Sequence, residues 1–378
     1  MDPRIAMVAG EASGDLLAGL LLSGMRKRWP ALAAAGIGGP DMGAQGFEAW
    51  WPHEKLAVRG YAEVLRHYRE IVGIRKQLRE RLLRERPQLF IGVDAPDFNL
   101  SLEEGLRGNG IRTVHFVCPS IWAWRPERIH QIRRACDHVL CIFPFEPDLL
   151  RGRGVPATYV GHPLASVIPL EPDREGARAQ IGLAADAQVI AILPGSRSAE
   201  IQYLARPFFE AAMLVRRQRP GVQFVVPALP PLRARIEAAA HAAGLHEGLH
   251  VLDGRSHLAL AACDLTLIAS GTATLEAALF KRPMVIGYRM NPISWHITRR
   301  KQLQPWVGLP NILAEDFVVP ELLQGDATPG RFAHALLEWL DAPARMAAVQ
   351  EKFTVLHHRL RRDTATLATD AIEKVLQG

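Results

Sequence analysis

Residues 267–289 read LIASGTATLEAALFKRPMVIGYR. The stretch opens as an apolar run of strand length, breaks at Ser270, Gly271 and Thr272, continues as an Ala/Leu-rich helix, and returns to an apolar strand after Pro283. Strand, small polar turn, helix and second strand in so short a span describe a parallel β–α–β unit. The turn places a hydroxyl, a bare backbone and a capping residue at a helix N-terminus, where unpaired N–H groups and the helix dipole favour an anion. Glu276 follows one turn later on the face of Thr272, because residues four apart share a helix face. A phosphate at the helix mouth and ribose hydroxyls at the acid satisfy this pattern. A dipole-complementing acid with no ligand satisfies it too.

The same alternation runs through the chain. Strand-length apolar runs fall at 4–9, 89–93, 112–117 and 138–143 in the first half, and at 188–193, 222–226, 250–252, 265–269 and 283–288 in the second. Helical patterns lie between them, among them 15–28, 61–86, 100–109, 201–219, 233–243, 272–280 and 329–340. This predicts an α/β chain of parallel sheets with helices on both faces. A length of 378 residues exceeds one compact core and predicts two domains. The seam is GHPLASVIPLEPDREG, 161–176, with three prolines and no periodicity, so the boundary is placed near residue 165. The expected domains are 1–165 and 166–343. Helices in 344–378 are expected to pack back on the first domain, and the cleft between two doubly wound sheets is the expected ligand site.

Composition narrows the function. Hydrophobic residues make up 48% and the net charge is +6, which describes a globular chain that favours anionic partners. The N-terminus does not read as a signal peptide, and no run approaches the roughly 18–20 apolar residues of a membrane span. Cys118, Cys136, Cys141 and Cys263 show neither zinc nor disulfide spacing, which fits a reduced compartment. The histidines show no metal-ligand spacing, and His357-His358 reads as a solvated helix face. The P-loop signature, the Asp-x-Asp pair of a metal-bound diphosphate and the HExxH zinc motif are absent. GIGGPDMG, 36–43, lacks the dinucleotide fingerprint.

Three further loops follow strands and carry candidate chemistry. In AGEASGD, 9–15, Gly10 and Gly14 permit close backbone approach, and Ser13 or Asp15 suits the cap of the following helix. In GVDAPDF, 92–98, Asp94 stands at a strand end, where a carboxylate can take a proton from a hydroxyl, while Asp97 is placed to cap the next helix. In LPGSRSAEI, 193–201, Gly195 and Ser196 turn the chain and Arg197 precedes a helix. A guanidinium beside free N–H groups suits a diphosphate.

Taken together, GEASGD, GVDAPDFN, PSIWAWRPERI, YVGHPL, LPGSR, ASGTATLEAAL and GLPNILA resemble the lipid-A-disaccharide synthase family, in that order and over nearly the whole chain. PSIWAWR with GEASGD is the specific part, while SGTATLE is shared more widely among GT-B-type glycosyltransferases. The resemblance implies a GT-B fold of two Rossmann-like domains: an acceptor-binding, membrane-associated first domain and a UDP-sugar-binding second. It implies an inverting transfer from UDP-2,3-diacylglucosamine to 2,3-diacylglucosamine 1-phosphate (lipid X), giving a β-1,6-linked disaccharide 1-phosphate and UDP. No metal, cofactor or nucleic acid is implied. The expected location is the inner face of the inner membrane of a Gram-negative bacterium, within lipopolysaccharide assembly, and members of the family can dimerise by exchanging a C-terminal segment.

Carried onto this sequence, the resemblance makes Asp94 the general base. Arg197, Ser196 and Ser270–Thr272 become the diphosphate site, Glu276 the ribose ligand and Asn311 a further donor-site group. Glu11, Ser13 and Gly14 line the cleft. Ser166 departs from the family pattern, which has an acid there, and no role is placed on it.

Two segments suit a lipid surface. One is 50–86, with Trp50, Trp51 and several arginines; its apolar positions Leu65, Tyr68, Val72, Leu78 and Leu82 fit a core face equally. The other is 291–306, with Trp295, Trp306, Arg299, Arg300 and Lys301. Two rivals remain: a UDP-N-acetylglucosamine 2-epimerase-like enzyme, against which PSIWAWR and the basic aromatic segments argue, and a non-catalytic basic membrane or nucleic-acid binder, against which the strand-end loops argue.

Overall fold

The computed structural model describes residues 2–56 and 61–378. The chain divides into two compact units, Met1–Ser166 with Arg359–Gly378, and Val167–His358.

The first unit is built on seven strands: β1 (Arg4–Ala9), β2 (Ala33–Gly38), β3 (Glu48–Pro52), β4 (Leu89–Val93), β5 (Arg112–Phe116), β6 (His138–Cys141) and β7 (Ala157–Tyr159). They pair in the order β3-β2-β1-β4-β5-β6-β7, every pair parallel. The second unit holds β8 (Val189–Leu193), β9 (Gln223–Ala228), β10 (Leu249–Asp253), β11 (Leu265–Ala269), β12 (Met284–Tyr288) and β13 (Glu321–Leu323). Their order is β10-β9-β8-β11-β12-β13, again all parallel. In each sheet the order reverses once, between β1 and β4 and between β8 and β11. Loops leaving the carboxyl ends of strands beside such a reversal flank an open crevice. The four loops singled out in the sequence are the ones that follow β1, β4, β8 and β11.

Central strands are apolar throughout because helices cover both faces: β4, β8 and β11 are buried at every position. β2, β3, β7 and β13 were not expected from the sequence. AAAGIG lacks β-branched bulk, EAWWP ends in proline, and β7 and β13 have three residues each, so none shows a strand pattern on its own.

Within the 50–86 segment, the described apolar residues favour the core alternative. Trp50 and Trp51 lie on β3 and pack against a core cluster that contains Ile74, Leu78 and Leu82. The Arg81 guanidinium sits 3.6 Å over the Trp50 ring. These tryptophans are half-buried, and Ile74, Leu78 and Leu82 of helix Tyr61–Glu85 belong to the core. The side chains of Leu65 and Tyr68 lie outside the described residues. His357 is corrected as well: it is fully buried, with Nδ1 2.7 Å from Lys281 Nζ, whereas His358 is exposed.

The last helix, Thr364–Gln377, docks on the helix after β1, Ala12–Arg28. Gly24 permits the approach: a Cβ there would lie 2.7 Å from the carbonyl oxygen of Ala365. Arg28 and Asp370 pair at 2.6 Å beside it. Ser166 donates to the Arg362 carbonyl at 3.2 Å, a structural use of the hydroxyl. Gly24→Ala is expected to lower stability by about 1 kcal/mol or more through overpacking, despite the better helix propensity of alanine. A reduced urea midpoint at unchanged slope is the expected reading, and an unchanged midpoint would mean that the helices part at no cost.

Candidate functional site

In the second unit, Leu193, Gly195, Ser196, Arg197, Glu200, Ser270, Gly271, Thr272, Ala273 and Glu276 line one recess of about 450 Å³. The structure thus gathers Ser196, Arg197, Ser270, Gly271, Thr272 and Glu276, drawn from the loops after β8 and β11. Two helices open onto the recess, and their mouths differ.

The helix after β8, Ser198–Gln218, is closed by its own acid. Glu200 Oε2 accepts from the N–H groups of Ser196 (2.9 Å) and Arg197 (3.2 Å), and Glu200 Oε1 accepts from the Arg197 guanidinium at 3.1 Å. Gly195 is required there: its φ is +126°, and a Cβ would lie 2.4 Å from that of Glu200. The free N–H groups expected at this turn are therefore occupied, and Arg197, exposed, offers its remaining guanidinium donors.

The helix after β11, Thr272–Leu279, has no side-chain cap. Gly271 has φ +156° and nothing within 4 Å of a notional Cβ, so the backbone faces open space. Ser270 Oγ donates to the Val307 carbonyl at 3.0 Å, which fixes the turn. Thr274 Oγ1 bonds back to the Gly271 carbonyl at 2.8 Å. Glu276 is half-buried one turn in, 3.4 Å from His257 Nε2. Arg255 and Ser256 complete the rim. Sequence reading passed over them because Arg255 sits in a left-handed turn (φ +54°) after β10, a strand whose residues are only half-buried or exposed.

Asn311 does not join this recess. It is fully buried; its amide donates to the Val319 carbonyl (2.9 Å) and Glu321 Oε1 (2.8 Å), and its oxygen accepts from the Val319 N–H (3.0 Å). Glu321 also accepts from the N–H groups of Val307 and Gly308 at 2.9 Å. Asn311 thereby ties together the segment whose Val307 carbonyl holds Ser270.

In the first unit, Asp94 and Ala95 both adopt left-handed backbone, φ +51° and +42°, a conformation uncommon outside glycine. The kink is held by the Asp94 N–H on the Phe116 carbonyl (2.8 Å) and by the Asn99 amide on the Asp94 carbonyl (2.9 Å). Asp94 reaches the surface, but partial loss of water around its carboxyl raises its pKa. His115 and the Ala95 N–H oppose this, and the charge of Glu11 adds to it. Asp97 is not the helix cap; Ala95 is. The Asp97 carboxylate instead pairs with Arg128 and, at 3.7 Å, with Arg125. Among the described residues Asp94 has no ion-pair partner.

The loop after β1 also departs from expectation. Glu11 stands at the helix N-cap without a side-chain cap bond, Ser13 is exposed and Gly14 is buried. Asp15 caps a different helix: its carboxylate accepts from the N–H groups of Gly39 (2.7 Å), Asp41 (2.8 Å) and Met42 (3.2 Å). The glycine-rich 36–43 turn is thereby filled by the protein's own acid.

One group among the described residues has metal-ligand composition and spacing: Glu103, His115 and Cys136, with ligand atoms within 4.8 Å of one another. All three are fully buried and bonded together, His115 Nδ1 to Glu103 Oε1 at 2.8 Å and Cys136 Sγ to Glu103 Oε2 at 3.5 Å. Burial pushes the Cys136 thiol well above its usual range.

PSIWAWR is anchored through Trp122, whose Nε1 donates to Glu146 Oε1 at 3.0 Å, with Phe143 and Phe145 set edge-on to its ring. Burial pushes the Glu146 carboxyl up to about 8 against the bonds from Phe143, Trp122 and Ile142. Burial also takes His162 down to about 4.

Structures with this architecture are known at low identity. The crystal structure of Acinetobacter baumannii MurG matches with a TM-score of 0.60 and 14% identity, over 98% of this chain and 99% of that one. The UDP-GlcNAc 2-epimerase from Neisseria meningitidis, solved bound to UDP-GlcNAc, matches with 0.64 and 11%, over 100% of both chains. The shared architecture is the GT-B fold. The family model described as Lipid-A-disaccharide synthetase matches residues 5–372. The lipid-A-disaccharide synthase of Albidiferax ferrireducens is 65% identical over 99% of this chain and 98% of its own length. That of Verminephrobacter eiseniae is 62% identical over 100% of both, and that of Burkholderia pseudomallei 53% over 99% and 97%. The chain belongs to the lipid-A-disaccharide synthase family and is a glycosyltransferase. The epimerase likeness is one of fold alone.

The buried Glu146 makes a pH prediction. Its ordinary value is 4.5, so between that and about 8 the folded chain holds a proton the unfolded chain has lost, and stability falls as pH rises. His162 acts with the opposite sign but only between about 4 and 6.5. From pH 6.5 to 8 wild type is expected to lose stability relative to Glu146→Gln, by up to about 1.4 kcal/mol per pH unit. Parallel melting curves across that window would place the carboxylate in water.

Proposed function

We propose that this enzyme condenses UDP-2,3-diacylglucosamine with 2,3-diacylglucosamine 1-phosphate (lipid X), yielding the β-1,6-linked disaccharide 1-phosphate and UDP. The observation that carries the reading is the 53–65% identity to lipid-A-disaccharide synthases over nearly the full length. Two features of the chain support it: the uncapped helix mouth with its acid one turn in, and an accessible, unpaired strand-end aspartate.

In this reading the second unit takes the donor. The diphosphate lies on the N–H groups of Gly271 and Thr272, with Ser196 and Arg197 at its flank, and Glu276 accepts from the ribose hydroxyls. Asn311 acts from behind, through the segment that fixes Ser270. The helix mouth and Arg197 stabilise the charge that develops on the departing UDP, an effect of roughly 2.7–4 kcal/mol per main donor by analogy with oxyanion sites. The first unit takes the acceptor. Asp94 removes the proton of the acceptor 6-hydroxyl, that oxygen attacks C1 of the donor sugar, and the C1–O bond to UDP breaks with its electron pair leaving on the diphosphate. Attack opposite the leaving group inverts C1. Loss of water around Asp94 makes its carboxylate a stronger base. Glu11, Ser13 and Gly14, in the loop beside β4, line the acceptor side. All steps run on protein groups, without a metal or cofactor.

Acylated substrates place the enzyme at the inner face of the inner membrane. Among the described residues no helix is long and apolar enough to cross a membrane, and helix Pro292–Lys301 suits surface contact instead. Arg299, Arg300, Lys301 and, just beyond it, Leu303 are exposed. Replacing the three cations by glutamate is expected to abolish co-sedimentation with anionic vesicles while UDP affinity is kept; unchanged sedimentation would move the contact elsewhere. A dimer formed by exchange of the C-terminal segment belongs to the same reading.

The deciding experiment supplies both lipids in detergent micelles with EDTA and follows UDP and disaccharide by mass spectrometry. The two products are expected in step. Asp94→Asn is expected to lose about 10²–10⁴-fold in turnover with UDP affinity retained, and Arg197→Ala to lose both. UDP released without disaccharide would overturn the acceptor assignment, and near-normal turnover in Asp94→Asn the base.

A further inference from the structure

Next to the strand end that presents Asp94 lies a fully buried polar group that the reaction, as described, does not use. The helix after β4, Pro96–Arg107, carries Asn99 and Glu103 four residues apart on one face, both with no exposed surface. Asn99 bonds the carbonyls of Asp94 at 2.9 Å and Val93 at 3.4 Å. Glu103 lies against β4 itself: a Cβ on Gly92 would come within 2.2 Å of its Oε1. Gly92 is the β4 residue paired in register with His115 of β5, and Phe116, the next residue of β5, accepts from the Asp94 N–H. The Glu103 carboxylate holds His115 Nδ1 at 2.8 Å, while His115 Nε2 and Asn99 Oδ1 are buried without a partner.

Burying a carboxylate and an imidazole together is costly unless each is fully bonded, and replacing such a pair by apolar residues is often neutral or stabilising. The position of this pair, against Gly92 two residues before a two-residue left-handed kink, suggests what it does. We propose that Glu103 and His115 form a positioning pair for Asp94, fixing the strand end that aims the carboxylate and holding an imidazole ring on the neighbouring strand to set its proton affinity. This rests on Asp94 being the general base. The electrostatics agree in sign, since the charge of His115 lowers the Asp94 pKa. The other charged groups around Asp94 are Glu11, from the loop after β1, and Asp97, whose charge is met by Arg128 and Arg125.

The test is a double-mutant cycle of Asp94→Asn and His115→Gln in the full enzyme, with the pH dependence of kcat/KM, UDP affinity and melting temperature measured for each. Asparagine tolerates left-handed backbone, so Asp94→Asn keeps the kink. His115→Gln is expected to lower kcat tenfold or more with UDP affinity unchanged. It is also expected to move the acidic limb of kcat/KM to higher pH by about half a unit or more, since an opposite charge nearby no longer favours the ionised base. In the Asp94→Asn background the same substitution is expected to cost less than twofold, because residues acting as one unit are not additive. Equal losses in both backgrounds, or an unmoved limb, would reduce the pair to a structural role and overturn the proposal while leaving Asp94 as base. Near-normal turnover in Asp94→Asn would instead remove the base reading, and the proposal with it. If His115→Gln does not fold, Glu103→Gln, which keeps the shape, replaces it under the same requirement of non-additivity with Asp94→Asn.

Discussion

Parallel pairing is the constraint on which the rest of the molecule depends. Because every strand in a sheet runs the same way, each turn at a strand's carboxyl end emerges along one edge, and a single reversal of strand order opens a crevice there. The chain uses this twice, at β1/β4 and at β8/β11. Residues with special chemistry are concentrated at those four exits, and the strands that deliver them are almost wholly apolar. A buried strand gives a fixed starting point, so a turn of two or three residues places a side chain or an N–H group without long-range support.

The two helix mouths of the donor recess show how one architecture yields different chemistry. After β8, Glu200 satisfies the N–H groups of Ser196 and Arg197, so the dipole is already answered and only the arginine remains to reach outward. After β11, glycine at the N-cap supplies no oxygen and no Cβ, so the donors stay available. Self-capping favours stability, and an uncapped mouth favours a ligand.

Much of this was legible in the sequence because it is local. Strand–turn–helix units such as 267–289 announce themselves through apolar runs broken by small polar residues, and the motif loops fall where those runs stop. The hidden parts are those in which distant residues meet. Glu103, His115 and Cys136 lie on a helix, a strand and a loop, and no spacing rule joins them. Asp15 reads as a cap for its own helix, and only the fold reveals that it caps the turn at Gly39–Met42. Trp50 and Trp51 look like surface anchors until β3 is seen to lay them against Ile74, Leu78 and Leu82. Asn311 sits in a recognisable motif, yet its amide is wholly committed to Val319 and Glu321.

The docking of helix Thr364–Gln377 onto helix Ala12–Arg28 has a consequence for synthesis. The first unit is discontinuous, Met1–Ser166 joined by Arg359–Gly378. On the ribosome its sheet is translated early, while the helix that covers Gly24 arrives only after the whole of Val167–His358 has emerged. The second unit is continuous and is able to complete its core first. The first must wait with the helix face around Gly24 uncovered until residues 359–378 appear, an interval in which unpaired surface favours aggregation.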